Sequence, residues 1–184
     1  MPPYNTKFQA GTITESNYVA VSSCVGHLNE SGKVFRWSAI FQSVAAEGVV
    51  YIHFAPEVSM CGSIAVYSSA GAVKLELFHT PTTTDDGTAV VSYNMNQLSD
   101  VLTGEDYVSI FHTPTVTADG TKYGPDTAIF ASGGPSSAHS AAPGQVSDTI
   151  DTIVDPTKIY LWKVTNIDDN ATDIFIHGIY KVTG

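Results

Sequence analysis

The stretch "LFHTPTTTDDGT", Leu77 to Thr88, returns as "IFHTPTVTADGT", Ile110 to Thr121, at an offset of 111 − 78 = 33 residues. Each copy ends an apolar strand, carried by Leu75 and Leu77 or by Val108 and Ile110, at a Thr-Pro step. Proline lacks the N–H that a β-ladder needs, so pairing stops there. Four or five residues on comes Asp86-Gly87 or Asp119-Gly120, a dipeptide favoured in tight turns because glycine accepts positive φ. A strand restarts after Gly87-Thr88. Two readings compete. The copies are either a pair of ligand loops, with His79 and His112 or Asp85, Asp86 and Asp119 as ligands, or two equivalent strand-to-strand corners at the same end of a sandwich. Two copies are too few for a solenoid. The repeat reads as architecture.

Outward from the repeat the same period-2 alternation continues, and helical periodicity is nearly absent. In "VFRWSAIFQSVA", Phe35, Trp37, Ala39 and Phe41 share one face, with Arg36, Ser38 and Gln42 on the other. The near-continuous apolarity of "VVYIHFAP" predicts burial on both faces. Val73, Leu75 and Leu77 point one way, and Lys74 and Glu76 the other. "NQLSDVLTGED" is long enough for one helical turn. "TKIYLWKVTN" and "TDIFIHGIYKVTG" predict a terminal hairpin around Ile167-Asp168-Asp169-Asn170. The sum is about nine strands and little helix, an all-β antiparallel sandwich or barrel. Residues 1–18 read as an extended N-terminal arm and residues 19–184 as a single β-sandwich domain, with a mobile loop at about 133–147, "GGPSSAHSAAPGQVS".

At 184 residues and 43% hydrophobic, the chain can bury one real core. The formal charge of −10, from 18 acidic against 8 basic residues, repels phosphate backbones and anionic lipid. We therefore expect no nucleic-acid or membrane partner. No signal peptide is visible in "MPPYNTKFQAGTITESN". Cys24 and Cys61 read as buried, reduced thiols at strand edges. The sequons at Asn29 and Asn170 read as chance matches.

The six histidines are scattered singly, with no H-x-H, H-E-x-x-H or C-x-x-C pair, so no metal and no cofactor are expected. No G-x-S-x-G elbow and no phosphate-cradling glycine loop occurs. The acids cluster in turns, "TTDDGT", "TGEDY" and "NIDDN", where carboxylates form turns. Catalytic residues: none are expected, and the chain reads as no enzyme. Trp37, Trp162 and the nine tyrosines could build a sugar-stacking platform, but Trp37 lies on the apolar face of its strand and reads as core. Trp162 is undecided.

The order "FRWSAIFQSVAAEGVVYIHFAPE", "FHTPTTTDDGT", "VVSYNMNQLS", "FHTPTVTADGT", "KIYLWKVTNIDDNATDIFIHGIY" resembles small structural proteins of tailed-bacteriophage virions. These are jelly-roll capsid decoration (cement) and head-fibre-like proteins. The resemblance spans about residues 34–181. Its strongest pieces are Gly87-Thr88 through Asn94-Met95-Asn96, and Tyr160 through Asn166 with Ile176–Tyr180. Gln97 stands where a basic residue is common, so no charged contact is carried over there. The resemblance implies a jelly roll and a non-enzymatic virion protein, made in the host cytoplasm and sited on the outer capsid surface, where it stabilises the shell. Its partner would be the lattice of the major capsid protein, and it would act as a homo-oligomer, a dimer or trimer. Pro2, Pro3, Tyr4 and Phe8 of the arm are the candidate partner contacts, since prolines limit unbound freedom and aromatics carry interface energy. The alternative function is a receptor- or carbohydrate-binding module of a tail fibre or tailspike. A glycan-active enzyme is a third.

Overall fold

The computed structural model describes residues 33–96, 98–130, 144–146 and 152–183. The arm with Pro2, Pro3, Tyr4 and Phe8, together with Cys24, Asn29 and Gln97, lies outside the described residues. Within them run fifteen strands: β1 (Val34–Val44), β2 (Val49–Pro56), β3 (Met60–Ser68), β4 (Ala72–His79), β5 (Thr82–Asp85), β6 (Thr88–Ala89), β7 (Tyr93–Asn94), β8 (Val108–His112), β9 (Thr115–Ala118), β10 (Thr121–Lys122), β11 (Thr127–Phe130), β12 (Gly144–Val146), β13 (Thr152–Val154), β14 (Tyr160–Asn166) and β15 (Thr172–Val182). The all-β class is as predicted. The count exceeds nine because short strands of two to four residues carry too few side chains to show a period. One of these, β12, lies inside the stretch 133–147 that was read wholly as loop, and it pairs with β3. No helical turn occurs among the described residues of 96–106.

All pairings are antiparallel, and one set of them is nested: β1 with β15, β2 with β14, β3 with β12 and β13, β4 with β10 and β11. The first strand meets the last, the second the next to last, and so inward, which is the winding of a jelly roll. One sheet runs β12-β3-β15-β1-β7, with β13 also on β3, and will be called the β1 sheet. The other, the β2 sheet, runs β10-β4-β14-β2-β8-β6, with β11 also on β4. The segment from β5 to β9 is an insertion between two nested partners. It lends β7 to the edge of the β1 sheet, and β8 and β6 to the edge of the β2 sheet.

The predicted inward faces are the core. Phe35, Trp37, Ala39 and Phe41 of β1 meet Ile52 and Phe54 of β2 and Leu75 and Leu77 of β4, all buried. Trp162 also turns inward, stacking on Trp37 at 5.6 Å and on Phe54 at 5.0 Å. Aromatic pairs in such geometry add about 1 kcal/mol beyond burial.

The terminal hairpin does not form. Strand β14 lies between β2 and β4 in one sheet, and β15 between β1 and β3 in the other, so the chain at residues 167–171 switches sheets. Asn166, fully buried, explains why. Its Nδ2 donates to the carbonyls of Val44 and Ala45 (3.0 Å each) and of Asn170 (2.8 Å), while its Oδ1 accepts from the Asp168 amide at 3.0 Å. The Thr172 hydroxyl ties the same corner to Ser68 and to the Ala70 amide. Three sheet-switching corners are thus fastened together at one end of the sandwich, and a hairpin would leave these buried polar groups unpaired.

The repeat forms a local pseudo-dyad. Thr88 pairs with His112 and Thr121 with His79, each relation being the other shifted by 33 residues. Strand β5 pairs with β9 through Thr82↔Ala118 and Asp85↔Thr115, which the same shift interchanges. After each His the backbone turns through a left-handed threonine, φ +56° at Thr80 and +55° at Thr113. The chain then crosses the outer face of the β2 sheet, one copy in each direction. Gly87, at φ +91°, presses on the carbonyl of His112, and Gly120, at φ +93°, on that of His79. A Cβ there would lie 2.3 Å and 2.4 Å from those oxygens, so each copy closes on the other through a glycine. The architectural reading therefore holds, with one correction. Strands β4 and β8 are antiparallel within the sheet, so the two corners face each other across the dyad and do not share an end.

Candidate functional site

The two outer faces of the sandwich differ. On the β2 sheet the β5–β9 ribbon crosses over outward-facing Phe78, Leu161 and His53, and all three are buried. Charges on this face are matched. Glu76 pairs with Lys74 at 3.1 Å and Lys122 at 3.2 Å, Lys122 also meets Asp126, and Lys163 pairs with Asp119 at 2.7 Å.

The residues proposed as ligands in the repeat do not converge. His79 and His112 sit on strands three steps apart in the sheet, roughly 14 Å at the usual spacing. Each bonds instead to its own threonine, Nδ1 to Oγ1, at 3.2 Å and 3.3 Å. Asp85 accepts from the Gly87 amide, and Asp86 from the Thr83 hydroxyl. Asp86 also lies 3.4 Å from Nδ1 of His53. Burial of His53 holds its pKa below the ordinary value, against a smaller upward pull from Asp86. Among the described residues no group of three or more His, Cys, Asp or Glu is placed to hold a metal.

No described segment crosses the outer face of the β1 sheet. Strand alternation that sends Trp37 and Ile176 inward sends Arg36, Ser38, Ile40, Phe175, His177 and Tyr67 outward. Register then sets them in three rows. Tyr67, Phe175 and Ile40 form the first, Ala65, His177 and Ser38 the second, and Ser63, Ile179, Arg36 and Tyr93 the third. Segment 89–93 and His112 form the opposite wall, and the whole encloses a groove of about 700 Å³. Phe175 and His177 stack at 6.3 Å, and Tyr67 lies 5.7 Å from Phe175 and 6.1 Å from His177. His177 is held neutral around pH 7, its pKa lowered first by burial and then by the charge of Arg36. Its Nδ1 is buried, with no hydrogen-bond partner among the described residues.

Beyond the groove, at the β7 edge, a second apolar surface is exposed. Tyr93 is 60% exposed, Leu102 61% and Leu98 95%, with Met95 and Val91 beside them. Cys61, expected to be buried, is half exposed on β3.

Of the tryptophans and tyrosines that could build a sugar platform, the structure buries Trp37 and half-buries Trp162, and it turns Tyr67 and Tyr93 outward beside Phe175, which the sequence did not single out. Their outward positions on β3, β15 and β7 were the available signal, but the pairing that gathers them is not local. The predicted contacts Pro2, Pro3, Tyr4 and Phe8 lie outside the described residues and cannot be set against either surface.

No known protein family matches the sequence, and no curated protein matches it either. Among solved structures, the mitogen derived from Yersinia pseudotuberculosis is 9% identical over 83% of this chain and 87% of its own, with a TM-score of 0.29. The VP2 subviral particle of infectious bursal disease virus is 12% identical over 82% of this chain, at a TM-score of 0.20. The match covers 42% of the VP2 chain, so the present chain spans less than half its length. Eiger TNF from S. frugiperda is 6% identical over 74% of this chain and 93% of its own, at 0.14. These likenesses are faint. The jelly-roll assignment rests on strand pairing.

Proposed function

We propose that this chain is a non-enzymatic virion protein that decorates and stabilises a bacteriophage capsid shell, binding the lattice of the major capsid protein from outside as a dimer or trimer. The observation that carries this reading is the exposed apolar strip Val91, Tyr93, Met95, Leu98 and Leu102 at the β7 edge. Contiguous apolar surface of this kind marks association sites, because water gains by its removal. The strip belongs to the insertion, so the nested sandwich need not change shape to present it. The arm residues Pro2, Pro3, Tyr4 and Phe8 supply a second contact. Many weak copies on a lattice gain from multivalency when an oligomer spans neighbouring capsomers. The net charge of −10 keeps the protein from the packaged genome.

The test is occupancy of undecorated phage heads, read by sedimentation. The full chain should bind, and a Met95→Ser, Leu98→Ser, Leu102→Ser variant should bind at least tenfold more weakly. Deletion of residues 1–10 should weaken binding further. Failure of the full chain to bind heads would overturn the decoration role.

A further inference from the structure

Arg36 is the sole arginine of the chain, in a protein with 18 acidic residues. Four of the lysines, Lys74, Lys122, Lys158 and Lys163, stand in ion pairs. Among the described residues Arg36 has neither an ion pair nor a hydrogen bond. Its guanidinium is exposed in the groove, one row from His177 and directly across the ladder from Tyr93. With no carboxylate of the described residues on it, the guanidinium has a position for an external one.

We propose that the groove on the outer face of the β1 sheet binds a carboxylate-bearing sugar, a sialic or uronic acid within a short glycan. Arg36 would receive the carboxylate and Tyr67, Phe175 and Tyr93 the sugar faces. The planar fork of an arginine matches a carboxylate through two parallel N–H···O bonds. Tyr67 and Phe175 lie two rows away, about 13 Å along the strands, so acid and stacking sites are spaced for more than one ring. Between them, the neutral His177 and the hydroxyl of Ser38 offer donors and acceptors to sugar hydroxyls. A volume of about 700 Å³ suits a short oligosaccharide, within the usual ~300–1,000 Å³ of ligand sites. The single cation favours a monoanionic carboxylate over polyanions, which the net charge of −10 repels.

This inference does not rest on the decoration role, since the lattice test reads the β7 edge and heads, and this test reads soluble glycans. The full chain is titrated calorimetrically with sialyllactose and with trigalacturonate. Lactose and galactotriose are the neutral counterparts, and glucose 1-phosphate is a phosphate control. At least one acidic glycan should bind ten times or more tighter than its neutral counterpart. Arg36→Gln should bring the acidic glycan down to the neutral level, with Arg36→Lys between the two. Phe175→Ala should weaken acidic and neutral glycans alike, at an unchanged melting temperature. No binding of either acidic glycan at millimolar concentration would overturn the proposal. So would acidic binding that survives Arg36→Gln, or binding of glucose 1-phosphate with neither acid. A dimer that Arg36→Gln dissociates, with no glycan bound, would assign the groove to a second copy of the chain and would equally overturn it.

Discussion

The outer faces of the two sheets are built from the same alternation yet end in opposite conditions. On the β2 sheet Phe78, Leu161 and His53 lie under the β5–β9 ribbon, and the lysines have their carboxylates. On the β1 sheet Tyr67, Phe175 and Ile40 look into a groove, and Arg36 has no counter-charge among the described residues. The ribbon is the difference. Thr-Pro corners throw two crossings over one face, and no described segment does the same over the other. A covered face contributes stability through its side chains. An open one leaves them available for binding.

Four measurements would break or sharpen this contrast. The largest effect belongs to the ribbon. Gly87→Ala and Gly120→Ala each place a Cβ against a carbonyl at positive φ, and each should cost about 2–4 kcal/mol in urea unfolding. The pseudo-dyad requires the two losses to agree within about 1 kcal/mol, and a strongly one-sided result would refute it.

Next is Glu76→Gln. It removes the carboxylate between Lys74 and Lys122 and should cost about 1–2 kcal/mol, less at high salt. No loss at low salt would show that the covered face gains nothing from its pairs.

The third effect appears on acidification. The folded protein holds His53 below its ordinary pKa, so the unfolded chain takes up the proton first as pH falls. The stability is complete above the unfolded value and is lost as pH falls towards the folded one, at no more than about 1.4 kcal/mol per pH unit for one proton. His177, also lowered, acts with the same sign. His53→Leu should flatten the slope between pH 7 and 5 more than His177→Leu does, because its ring lies under the ribbon. Equal slopes in urea midpoints would mean that the ribbon admits water freely.

The smallest effect is expected at Arg36→Gln, within about 0.5 kcal/mol of the parent, since an exposed group without partners has nothing to lose. A cost above 1 kcal/mol would mean that the arginine is structural.

Much of the sandwich could be read from the chain. Phe35, Trp37, Ala39 and Phe41 announce a buried face by spacing alone, and so do Val73, Leu75 and Leu77, because inward direction is a local property of a strand. Partner choice is not local. "NIDDN" has every mark of a hairpin turn, and what makes it a sheet switch is the reach of Asn166 to Val44 and Ala45, some 120 residues away in sequence. Strands such as Thr88–Ala89 and Thr121–Lys122 take their form from the neighbour they pair with. The groove was hidden for the same reason. Arg36, Tyr67 and His177 are ordinary outward positions until β3, β15, β1 and β7 are set side by side.

The nested winding also fixes an order in time. Strand β1 leaves the ribosome well before its long partner β15, which begins 172 − 34 = 138 residues later. At the usual ~5–20 residues per second, its hydrogen-bonding edge waits roughly 7–28 seconds with Phe35, Trp37 and Phe41 unburied. Until then it can meet only the two residues of β7. The growing chain is therefore most prone to aggregate, and most in need of a chaperone, just before β15 appears.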